Sequence, residues 1–167
     1  MSFPFGTRCA AACDVPDLEL FPRRYPGVHT VSFRAALEVP VQHYALWCIA
    51  GLRRLGMPLR PDHWARRLNR TAHWFDRFGT DRGGMSVSVI GRDQSGRRQT
   101  STWYLVAQSN HGPEIPCMAS ILLTRKLARG ETPPIGAQVC MGMLKLSDFE
   151  SEFARWDIRT SIKDELH

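Results

Sequence analysis

Two short stretches hold the residue types that chemistry uses most. In "SNHGPEIP", residues 109–116, His111 and Glu114 flank a Gly-Pro step that leads into a helical pattern. Histidine is the side chain that titrates near neutrality, and a helix N-terminus offers unpaired N–H groups to an anion. In "FGTDRGGMSVSVIGRD", residues 78–93, Arg82 precedes the adjacent glycines Gly83 and Gly84. An arginine supplies a forked donor that fits a carboxylate. Two missing Cβ atoms let backbone N–H groups come close to a ligand. Each stretch also has a plainer reading. The first is a loop whose polar residues cap a helix. The second is a turn and strand start with an Asp81–Arg82 surface pair.

These residues need elements to position them. Met85, Val87 and Val89 alternate with Ser86, Ser88 and Ile90, which is the two-residue period of a strand. "RDQSGR" turns the chain, with Gly96 available for a positive φ, and "TSTWYLVAQS", residues 100–109, returns as a second strand. The glycine pair begins the first strand and His111 follows the second, so both should meet at one rim of the hairpin. A helix from Pro113 or Pro116 carries Ile115, Met118, Ala119 and Leu122 at helical spacing and stops at Gly130.

Elsewhere the pattern predicts a strand over 28–39, a helix over 40–56 opened by Pro40, and a second helix from Pro61. That helix should bury Trp64, Leu68, Phe75 and Phe78, with Arg66, Arg70 and Arg77 on another face. Residues 137–146 read as a short strand. Ser147 and Glu150 read as a capping box for a short helix, and "WDIRTSIKD" reads as a closing strand. Pro4, Pro16, Pro22 and Pro26 make residues 1–27 an irregular lead-in to one domain over 28–167. The expected class is α+β, a largely antiparallel sheet with helices packed on one face.

The composition narrows the function classes. The chain carries a net charge of +6 over 167 residues, but its basic residues never form a run of five. Nucleic-acid binding through the Arg66, Arg70 and Arg77 stripe is therefore a minor expectation, since scattered arginines usually solvate a helix face. No apolar run reaches the ~18–20 residues of a membrane span, so no membrane partner is expected. Five cysteines, an odd number, point to free thiols in a reducing, cytoplasmic compartment. Cys9 and Cys13 lack a matching second pair for zinc, and Cys48 and Cys117 read as small buried hydrophobes. The dinucleotide fingerprint, the Walker loop, the nucleophile elbow and H-E-x-x-H are all missing.

Four segments carry a resemblance over nearly the whole chain from about residue 14. "DVPDLELFPRRYPGV" (14–28), "GTDRGGMSVSV" (79–89), "HGPEIP" (111–116) and "FESEFARWDIRT" (149–160) resemble the C-terminal half of bacterial saccharopine dehydrogenase-like oxidoreductases. The resemblance implies an α+β domain that shapes a substrate pocket and forms a homodimer. It implies NAD or NADP only for a separate N-terminal Rossmann domain, of which this chain shows no motif. The proline-rich start fits a chain that begins at that domain junction. On this reading the chain holds no cofactor and is catalytically silent alone. Arg82, Gly83, Gly84, His111 and Glu114 would line a pocket for a small molecule, and no residue is assigned a catalytic role. The alternative is a stand-alone homodimeric binding or interaction module without enzymatic activity.

Overall fold

The computed structural model describes residues 8–58, 60–74, 79–131 and 134–166. The fold is α+β, with five α-helices and two antiparallel sheets among the described residues. The chain forms two compact units, Met1–Thr80 and Asp81–His167. Residue 27 lies inside the first of them.

In the first unit, β1 (Ala11–Ala12) pairs with β2 (Arg34–Ala35). Between them, α1 (Asp17–Arg24) occupies a stretch expected to be irregular. Eight residues are short enough for Pro22 to be tolerated. Asp17 and Glu19 at its start and Arg23 and Arg24 at its end complement the helix dipole. The strand expected over 28–39 shrinks to Arg34–Ala35, because β-forming residues need a ladder partner and β1 offers only two. Helix α2 (Pro40–Arg54) begins at Pro40 as expected, and Gly56 follows it at φ +88°. Helix α3 spans Pro61–His73. Phe75, Arg77 and Phe78, expected on this helix, lie outside the described residues. Glu38 accepts hydrogen bonds from the Thr80 hydroxyl at 2.6 Å and from Arg8 at 3.2 Å. Burial opposes ionisation here, but the Thr80 and Arg8 contacts outweigh it and hold the Glu38 carboxyl below its ordinary range.

In the second unit, β3 (Gly83–Arg92), β4 (Arg98–Ala107) and β5 (Ile158–Leu166) form an antiparallel sheet in the order β3-β4-β5. The expected turn joins β3 to β4. Asp93 accepts from the Ser95 and Arg97 N–H groups, and Gly96 takes φ +82°. A one-turn 3-10 helix (Gly112–Glu114) leads into α4 (Ile115–Ala128), and α5 (Leu146–Arg155) precedes β5. Register places Met85, Val87, Trp103, Leu105, Ala107, Ile158 and Ile162 on one face. Leu105, Ala107 and Ile158 meet Met118 of α4 and Phe153 of α5 to make the core.

Three local expectations give way. Residues 137–146 form bends and turns, with Gly136 and Gly142 at positive φ, so no ladder can form there. Helix α5 starts before Ser147, and its box uses other residues. The Lys145 N–H donates to the Asp148 carboxylate at 2.9 Å, and the Asp148 N–H donates back to the Lys145 carbonyl. Cys48 and Cys117 are both exposed. Met118, one residue on, points into the core, so Cys117 is turned about 100° away from it.

A polar seam ties α4 to α5. Arg125 donates to the buried carboxylate of Glu152, and Lys126 pairs with Asp148 at 3.2 Å. The Arg125 hydrogen bond holds the Glu152 carboxyl below its ordinary range, against the effect of desolvation. The Lys145 N–H, aided by Lys126, does the same for Asp148.

Candidate functional site

The two candidate stretches converge at one end of the three-stranded sheet. Gly83 pairs with Ala107 at the last rung of β4. The chain leaves that rung through Gln108 and turns at Ser109 and Asn110, both with positive φ (+53° and +60°). Asn110 is well suited to this conformation, which few other residues adopt readily. Its N–H donates to the Asp81 carbonyl at 2.7 Å, tying the loop to the entry of β3. A Cβ built on Gly83 would lie 3.8 Å from the Gly112 Cα, so the two glycines face each other across the rim. That distance is ordinary contact. Close approach there concerns the neighbouring loop, and both glycines keep negative or extended φ. Gly84 sits one rung further, opposite Val106, and faces the other side of the sheet. Arg82 is exposed where the chain enters β3.

His111 and Glu114 come together at the foot of α4. His111 Nδ1 lies 3.9 Å from Glu114 Oε1, and both side chains are about one-third exposed. The other carboxylate oxygen, Glu114 Oε2, is buried and has no hydrogen-bond partner among the described residues. A buried acceptor of this kind calls for a donor from water or a ligand. Negative charge at this position is favoured by the N-terminal end of α4. The imidazole stacks edge-on against Trp156, with ring centroids 5.1 Å apart. Trp156 ends α5, and Asp157 follows it at φ +48°, where its carbonyl accepts from the Gln108 N–H at 3.4 Å. The α5–β5 turn is thereby fastened to the same rim.

Trp156 is the member that the sequence pattern missed. It stands 45 residues beyond His111 and arrives only because β5 runs antiparallel to β4, placing Ile158 opposite Ala107. The chemistry available is recognition. A carboxylate with one oxygen in need of a donor and an imidazole held by an indole can orient a small polar molecule. Among the described residues, no group of three or more His, Cys, Asp or Glu is placed to hold a metal ion. Arg66 and Arg70 are exposed on α3, in the first unit. Comparison with sequence families, curated proteins and solved structures finds no match to this chain.

Proposed function

We propose that this chain is the substrate-binding and self-associating part of a cytoplasmic, saccharopine dehydrogenase-like oxidoreductase, silent without a nucleotide-binding partner domain. The observation that carries the reading is the meeting of His111, Glu114 and Trp156 beside Gly83 at one rim. The motifs "GTDRGGMSVSV" and "HGPEIP", on which the resemblance rests, are the segments that build that rim. The hydride would come from NAD or NADP held elsewhere, and the rim would hold the substrate against it. Its charges suit a molecule with both a carboxylate, for Arg82, and an N–H donor, for Glu114 Oε2.

Self-association fits the sheet edge. Strand β3 lies at the edge and bears no charged side chain from Gly83 to Gly91, whereas the other edge, β5, carries Arg159, Lys163, Asp164 and Glu165. An uncharged edge is the one open to pairing with another chain.

The test is binding. Titration with NADPH and NADH, followed by nicotinamide fluorescence, should show no saturable response. L-glutamate, which carries both carboxylate and ammonium groups, should bind, and Arg82→Ala should weaken it with the fold intact. Saturable nucleotide binding, or glutamate binding indifferent to Arg82→Ala, would contradict the reading.

A further inference from the structure

Helices α2 and α3 of the first unit expose apolar side chains in an ordered pattern. Val41, Tyr44, Cys48 and Leu52 recur at helical spacing along one stripe of α2, continued by Leu55 at its C-cap, and Trp47 lies beside it. All are exposed, Trp47 to 69% and Leu55 to 83%. On α3, Trp64 and Leu68 stand four residues apart and line a shallow recess with Arg67 and Thr71. Arg66 and Arg70 lie on the opposite, polar side of that helix. Isolated exposed apolar residues are ordinary on a protein surface. A contiguous stripe with aromatic members marks a surface that contacts something.

The charge around these helices narrows what that is. From Val39 to Trp74 the sequence holds six arginines and one acidic residue, Asp62. A second copy would bring the same positive charge against itself. Duplex nucleic acid would satisfy the arginines but leave the apolar stripe in water. An anionic bilayer surface suits both sets. Its acyl boundary takes the apolar stripe, Arg67 beside Trp64 meets the headgroups, and the other arginines add the longer-range attraction of net positive charge. Tryptophan and tyrosine side chains are favoured at that depth.

We infer that α2 and α3 form a peripheral membrane-binding element, selective for anionic lipid. No helix of the described residues is long and apolar enough to cross a membrane. The contact is one of lying on the surface, and it amends the sequence expectation of no membrane partner. The inference does not depend on the rim in the second unit.

The experiment is co-sedimentation of the full chain with vesicles of phosphatidylcholine alone and with vesicles containing about one-third phosphatidylserine. The chain should pellet with the anionic vesicles, blue-shift its tryptophan emission, and release as salt is raised. An arginine near an anionic surface contributes about fivefold in affinity, so Arg67→Gln, on the Trp64 side of α3, should weaken binding about fivefold. Trp47→Ser/Trp64→Ser, with every charge kept, should weaken it by at least about tenfold. Circular dichroism would establish that both variants keep their helices. Equal binding to neutral and anionic vesicles would overturn the inference, as would no binding or no loss in the tryptophan variant. Salt-sensitive duplex DNA binding without vesicle binding would assign the face to nucleic acid. A concentration-dependent dimer without vesicle binding would assign it to a second copy. Either would overturn the inference as well.

Discussion

The first unit carries eleven basic residues against six acidic ones, and the second carries eleven against ten. Among the described residues, the first unit buries one apolar side chain, Val39, while the second buries Leu105, Ala107, Met118, Phe153 and Ile158 together. The chain's net charge and its core therefore belong to different units. A whole-chain charge of +6 says little about the partner of the rim, since nearly all of that excess lies in residues 1–80. Conversely, the order needed to hold His111 against Trp156 comes from the unit with a core. Precise positioning of side chains requires packed support. A surface that meets a bilayer needs only the right stripe of residues.

The contrast makes predictions of descending size. The largest concerns packing. Leu105→Ala removes a side chain that is 1% exposed and should destabilise the second unit by about 2–5 kcal/mol. Trp47→Ala removes a larger side chain from the first unit and should change stability by less than about 0.5 kcal/mol. Urea denaturation of the two variants checks the pair, and similar losses would break the contrast.

A smaller effect follows from pH. Glu152 and Asp148 have carboxyls held below their ordinary range. Groups of this kind add stability above their unfolded values of about 4.3 and 3.9. That contribution is lost as pH falls through the lower folded values. The protection of α4 and α5 amides from hydrogen exchange, taken against the intrinsic rate at each pH, should therefore fall on acidification below about pH 4, and Glu152→Gln should reduce that dependence. Protection at these helices indifferent to acid would remove the Arg125–Glu152 seam from the account. Smaller again is Gly96→Ala, which forces an L side chain to φ +82° at the hairpin turn and should cost about 1 kcal/mol in thermal stability.

How much was readable in advance follows from how local each feature is. The β3–β4 hairpin was legible because alternation and a turn glycine are neighbours in sequence. Pro40, Gly56 and Gly130 marked helix ends for the same reason. The meeting of Gly83 with the His111 loop was legible too, since a hairpin brings its two ends together. Strands at 28–39 and 137–146 were misread because a strand exists only with a partner, and the chain supplies one for Arg34–Ala35 alone. Cys48 and Cys117 were misplaced because an apolar neighbourhood does not reveal which way a helix faces. Trp156 was out of reach because its place beside His111 depends on the register of β5.

The most direct measurement is a titration of the 15N-labelled chain with L-glutamate, followed by amide chemical shifts. The account predicts saturable shifts confined to 81–84, 109–114 and the Trp156 indole, with residues 8–58 unmoved. Absence of saturable shifts at the rim, or shifts centred on α2 and α3, would contradict it.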